Sequence, residues 1–149
     1  MSIIELTMKT FYYKYTGTQF VPVEEDDQTS LTVRYIIGDN DRENHDIIKM
    51  SNEDDIWVHI KELPSCHVIV SIPSQNDTGI ENKKRYKEVV RKATRQGGVL
   101  CRQYSKNTIK KNGLSKTKVD MISYHVRNLE CTNIPGQVIT QGDALTFSV

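Results

Sequence analysis

Asp54-Asp55-Ile56-Trp57-Val58-His59-Ile60-Lys61-Glu62-Leu63-Pro64-Ser65-Cys66-His67-Val68-Ile69-Val70 is the stretch on which the reading of this chain turns. Ile56, Val58 and Ile60 alternate with Trp57, His59 and Lys61. After a Leu63-Pro64-Ser65 turn, Val68, Val70 and Ile72 alternate with His67, Ile69 and Ser71. Such alternation marks strands with one apolar face, so the stretch predicts a β-hairpin. Strand side chains have period two, and with the aliphatic even positions facing the core, Trp57, His59 and His67 share the opposite face. Ile60 across from Cys66 sets His59 opposite His67, with about 4.5 to 5.5 Å between their Cβ atoms. Two imidazoles and the only tryptophan then occupy one patch.

Upstream, residues 10–23 are rich in aromatic and β-branched side chains and predict a strand pair around Gly17. The acidic run Glu24 to Asp27 and the polar residues to Ser30 predict a loop, because four like charges resist burial. Leu31 to Ile37 predicts a strand, closed by Gly38 and the turn-forming Asp39-Asn40-Asp41. Arg42 to Met50 predicts a short helix with Asp41 as N-cap and Ile47 and Ile48 on its apolar side.

Downstream, Ile72-Pro73 ends the hairpin and Ser74 to Gly79 is a polar loop with a helix start. From Ile80 to Lys106 the pattern is helical. Tyr86, Val89, Val90, Ala93, Gly97, Leu100, Cys101 and Tyr104 form one face, while Lys84, Lys87, Arg91, Arg95 and Arg102 align on the opposite one. Gly97-Gly98 costs about 1 kcal/mol per glycine relative to alanine. Either the helix breaks there, or the backbone passes too close to a neighbour for a larger side chain. Residues 107–118 predict a loop, with Lys106, Lys110, Lys111, Lys116 and Lys118 in and beside it around Asn112-Gly113. Val119 to Val126, Gln137 to Thr140 and Ala144 to Val149 return to strand character. Strands, a long helix, then strands predict one α+β domain over residues 1–149 with a mainly antiparallel sheet.

With 149 residues the chain can bury one sizeable core. Its apolar runs are of strand length, too short for a bilayer, and the N-terminus lacks the pattern of a secretory signal. Cys66, Cys101 and Cys131 are odd in number and widely spaced with no C-x-x-C pair, which fits reduced thiols in a cytosolic or nuclear setting, cytoplasmic being the expectation, rather than a disulfide framework or a zinc knuckle. The net charge of +1 conceals a segregation. Residues 1–77 carry six basic and fourteen acidic side chains, residues 78–128 fourteen and three. A local excess of this kind presents a positive field to a polyanion while the whole chain stays near neutrality; a solvated basic face is the alternative.

His59 and His67 invite two sharper readings. Two imidazoles are fewer ligands than a zinc site needs, and Cys66 points to the other face by parity, so neither a metal nor another cofactor is expected. As a general acid and base the pair suits phosphodiester cleavage, with Lys106 to stabilise the transition state. Against both stands a structural role, with Trp57, His59 and His67 hydrogen-bonded within a packed interface. Nucleic-acid binding draws on more of the chain. Phosphates would pair with Lys84, Lys87, Arg91, Arg95, Arg102, Lys106, Lys110 and Lys111, and unstacked bases with Trp57, His59 or His67. A packing of the long helix on the face of Trp57 would bury the aromatic and leave only the charges.

Gly38 with Glu43-Asn44, Asp55-Ile56-Trp57-Val58-His59 and Pro64-Ser65-Cys66-His67-Val68 together resemble the NFACT-R domain, once a domain of unknown function. Gly97-Gly98-x-Leu100, Tyr104-Ser105-Lys106 and Pro135-Gly136-x-Val138 extend the resemblance over about residues 31–149, the strand pair at 10–23 being extra. Residues 43–70 are most similar to stand-alone eukaryotic members, which carry a coiled coil after the domain; none is expected beyond Val149, nor a partner domain ahead of Met1. The resemblance implies a non-enzymatic nucleic-acid-binding module with RNA as the preferred partner, tRNA or the ribosome in particular, in ribosome-associated quality control; the short apolar runs predict no membrane partner. Asp39, His45 and Ser65 depart from the family's arginine, aspartate and glycine. The rival readings are a protein-interaction module docking a basic partner and a histidine-dependent nuclease.

Overall fold

The structure, a computed structural model, describes residues 8–25 and 31–149. Its elements run β1 (Lys9–Tyr15), β2 (Phe20–Val23), β3 (Thr32–Gly38), α1 (Asp41–Lys49), β4 (Ile56–Ile60), β5 (His67–Ser71), α2 (Gln75–Thr78), α3 (Lys83–Gln103), α4 (Lys106–Lys111), β6 (Asp120–His125), a 3-10 turn (Val126–Asn128), β7 (Leu129–Cys131), β8 (Val138–Thr140) and β9 (Leu145–Ser148). Seven strands form one sheet in the order β2-β1-β3-β5-β4-β6-β9, every neighbouring pair antiparallel. β7 and β8 pair separately. The fold is the α+β arrangement the sequence predicts; most of the acidic loop expected after β2 lies outside the described residues.

Parity sorts the core into two layers. Even positions of the central hairpin, Ile56, Val58, Ile60, Cys66, Val68 and Val70, join Val33, Tyr35 and Ile37 under α3, where Ala93, Leu100 and Cys101 meet them. Odd positions Trp57 and Ile69 join Ile36 on the other face, under Ile47 and Ile48 of α1, with Leu129, Cys131 and Val138 of the β7–β8 hairpin packed alongside. Both faces of the middle strands are therefore dry. Each buried aliphatic side chain contributes about 1.5 to 3 kcal/mol relative to exposure.

The glycine pair does not break α3. A Cβ on Gly97 would lie 2.8 Å from Val70 Cγ2, and one on Gly98 2.5 Å from Phe147 Cε2. Close approach to the sheet and to β9 is the alternative the molecule takes. Tyr35 secures the contact from below, its hydroxyl donating to Ala93 O at 2.7 Å in the helix above.

Two local expectations are corrected and one strand is added. The N-cap of α1 is Asn40 rather than Asp41: its Oδ1 accepts from Glu43 N at 2.9 Å, while Glu43 reaches back to Asp39 N at 3.0 Å. The cap lies one residue earlier than expected, and the reciprocal pair differs from a capping box in that Glu43 accepts from the residue before the cap. Residues 106–111 form helix α4 within the expected lysine loop. Ile109 buries under the end of α3, and Asn112-Gly113 is a helix stop rather than a loop centre. Gly113 has φ of 65°, and the bonds Leu114 N to Ile109 O (2.9 Å) and Gly113 N to Lys110 O (3.3 Å) complete a Schellman motif. β7 is the addition, a strand that no pattern signals: its three residues are too few to show alternation, and its partner β8 comes after a turn.

Candidate nucleic-acid interface

Trp57, His59 and His67 gather on one face as parity predicts. The register pairs Val58 with Val68, so its continuation sets His59 opposite His67, and their ring centroids lie 4.9 Å apart. The long helix lies on the other face, yet the cluster is closed to ligands. Trp57 is 4% exposed and His67 3%. Trp57 Nε1 donates to His67 Nδ1 at 3.0 Å, which leaves the proton of His67 on Nε2. His59 stacks on the indole, 5.2 Å between centroids, with its Nδ1 2.5 Å from Ile60 O. A base cannot stack on a buried indole whose N–H is already satisfied.

Burial also sets the protonation of the pair. His67 is driven down to about 3 by desolvation first, then by repulsion from His59 and His45; His59 is lowered by burial, against the effect of its hydrogen bond to Ile60 O. A His67 that stays neutral near pH 7 offers no proton for general-acid work. Cys66 lies on the opposite face against Cys101, Sγ to Sγ 3.8 Å, with Ser105 Oγ 3.3 Å from Cys66 Sγ. Among the described residues no group of three or more His, Cys, Asp and Glu side chains is placed to hold a metal ion.

The basic ridge of α3 divides in two. In the first half, Lys84, Lys87 and Arg91 are exposed; Lys84 and Lys87 have no polar partner among the described residues, and Arg91 meets Glu88 at 3.0 Å one turn away. In the second half the cations fold back onto the chain. Arg95 Nη1 donates to Ser148 O at 2.6 Å. Arg102 is half-buried and donates to four carbonyls, those of Thr117 (2.6 Å), Val149 (2.9 Å), Leu114 (3.1 Å) and Ser115 (3.2 Å). It clasps the loop after α4 to the end of β9. Beside this clasp the exposed Lys106 and Lys110 line a shallow depression of about 580 Å³ with Val99 and Gln103, and Lys111 is exposed on the same short helix.

Two features escape a sequence reading. One is a groove between the first half of α3 and the ends of β4 and β6, where Lys87 and Val90 face Ile56 and His125. His125 stands at the end of β6, and only the pairing of β4 with β6, Ile56 opposite His125, brings it there. The other is the Arg102 clasp, hidden because every partner is a backbone carbonyl.

Comparison with known proteins places the fold. No curated protein matches the chain. The structure of the C-terminal part of the fibronectin/fibrinogen-binding protein from Streptococcus suis superposes with a TM-score of 0.58 at 18% identity, over 93% of this chain and 43% of that one. That likeness concerns the fold, and the chain spans less than half of the longer structure. Among the described residues no helix is long and apolar enough to cross a membrane. A family model described as the NFACT protein RNA binding domain matches residues 12–147, a span that takes in most of β1 and all that follows it up to β9. With that match over most of its length, the chain belongs to the NFACT protein RNA binding domain family.

Proposed function

We propose that the chain binds RNA of the translation machinery, tRNA or rRNA, as a non-enzymatic module, with Lys84, Lys87 and Arg91 as its main phosphate contacts and Lys106, Lys110 and Lys111 as a second set. The observation that carries this reading is the difference in pairing along one helix. Lys84 and Lys87 hold no partner among the described residues, whereas Arg95 and Arg102 are engaged by backbone oxygens. Unpaired cations in a row present donors to an incoming phosphate without first breaking a bond. Family membership supplies the class of ligand. The ribosomal context comes from the chain's resemblance to quality-control factors, and the cytoplasmic setting from its three widely spaced cysteines.

Fluorescence anisotropy with tRNA, single-stranded RNA and duplex DNA across a salt series tests the reading. Each phosphate neutralised contributes about 0.7 (single strand) to 0.9 (B-form duplex) to the fall of log K with log salt, so a steep negative slope and a preference for RNA are expected. A flat salt response overturns it.

A further inference from the structure

With Trp57 closed off, an RNA-binding surface made of lysines alone would read charge and nothing else. The groove beside Lys87 offers more. It joins two cavities of about 740 and 240 Å³ that share Ile56, Lys87, Val90 and His125. The larger falls within the range of ordinary small-molecule clefts, about 300 to 1,000 Å³. Apolar surface lines its middle: Ile56 is nearly buried, Val90 and Ile72 half-buried, and Tyr86 lends only its ring because its hydroxyl donates to Pro73 O at 2.7 Å. His125 is exposed, its Nδ1 3.3 Å from Asp54 O.

The distribution of charge decides which part of a nucleotide enters. Asp54 and Asp55 also line the larger cavity, and carboxylates there repel a phosphate. Both carboxylates are already engaged, Asp54 by Arg127 and Asp55 by the Asn52 amide at 2.9 Å. Lys87 and Arg91 stand along α3 at the rim. We infer that this groove is a base-binding subsite: one unstacked base of a single-stranded RNA segment enters between Val90, Ile56 and the His125 ring, while its flanking phosphates stay outside on Lys87 and Arg91. The inference rests on the RNA-binding reading and deepens it, because it makes the module selective for unpaired over paired RNA.

The test uses a short single-stranded oligoribonucleotide carrying one 2-aminopurine and an RNA duplex of equal charge, each titrated against the wild type, Val90→Trp, which fills the groove, and His125→Ala, an exposed change that leaves the core alone. Circular dichroism checks that each variant is folded. Binding to the wild type is expected to change the 2-aminopurine emission. Each variant is expected to weaken single-strand binding, by about tenfold to a hundredfold for Val90→Trp and less for His125→Ala, with the duplex unaffected. If His125→Ala and a folded Val90→Trp leave single-strand affinity and emission as in the wild type, the subsite is overturned, as a groove built for a peptide would require, and the phosphate-binding surface stands. If neither RNA binds the wild type, the RNA-binding reading fails with it.

Discussion

The tryptophan–imidazole cluster of the central hairpin and the first half of α3 hold the side-chain types that grip nucleic acid, aromatic in one and cationic in the other. They differ in whether their polar atoms are already used. Trp57 Nε1 ends on His67 Nδ1 and His59 Nδ1 meets Ile60 O, whereas Lys84 and Lys87 end on no atom of the described residues. A donor satisfied inside a dry layer holds the fold together, and breaking its bond for a ligand forfeits a buried hydrogen bond. A donor left in solvent has nothing to lose but water. Residue type alone does not separate the two cases, and the same distinction runs along α3: Lys84 and Lys87 belong with the solvent-facing set and Arg102 with the satisfied one.

The largest effect expected from this difference is on the satisfied side. His67 is neutral in the fold down to about pH 3, while in the unfolded chain it protonates near the ordinary value of about 6.5. The unfolded state therefore takes up the proton first. Stability is at its full value above about pH 6.5 and falls as pH drops toward 3, by on the order of 1.4 kcal/mol per unit for this one group, with His59 adding in the same direction. Denaturant titrations followed by Trp57 emission at several pH values measure the slope. His67→Gln, which keeps an acceptor for the indole but cannot charge, should flatten it; identical curves would remove the cluster from the account of acid stability.

On the solvent-facing side, Lys87→Glu with Arg91→Glu is expected to weaken RNA binding by about a hundredfold or more at low salt and to shallow the salt dependence by about 0.7 for each phosphate no longer neutralised. Thermal stability should stay within about 0.5 kcal/mol of the wild type, as for other solvated surface changes. A fall in stability with binding intact would move these residues into the structural set. Arg102→Ala should do the reverse. Removing the charged hydrogen bonds to four carbonyls costs about 2 kcal/mol, seen as a lower melting temperature, with RNA affinity of the folded protein changed less than about twofold.

The hairpin shows why so much of the fold is legible in the sequence. One parity argument at Ile60 and Cys66 gives the register, the face of Trp57 and the contact of the two imidazoles, because strand geometry propagates over many residues. Periodicity likewise marks α3 and its basic side. What periodicity cannot carry is the fate of a long flexible side chain. Arg102 has the spacing of a ridge residue, yet its guanidinium turns toward carbonyls at 114–117 and 149 that join it only through the return of the chain in β9. The groove at His125 is hidden for the same reason, since it is made by a strand pairing and no local pattern announces it.

The smallest effect is the most diagnostic, because its two parts have opposite signs. The first turn of α3 contains Lys83, Lys84 and Arg85 and no acidic residue. The N-terminus of a helix carries the positive end of its dipole, so cations there are destabilising by about 0.3 to 1 kcal/mol each. Asn82 caps the end properly, its Oδ1 accepting from Arg85 N at 3.0 Å, so the helix is otherwise well started. Three cations placed against the dipole are poorly explained by stability and well explained by a phosphate that arrives from outside and reverses the local field. Lys84→Ala is then expected to raise the melting temperature by a degree or two, for a gain of about 0.5 kcal/mol, while lowering RNA affinity a few-fold and the salt slope by about 0.7. Calorimetry and a salt-dependent titration of the one variant measure both halves. A loss of stability would return Lys84 to the satisfied set, and an unchanged salt slope would take the first turn out of the interface and leave Lys87 and Arg91 as its edge.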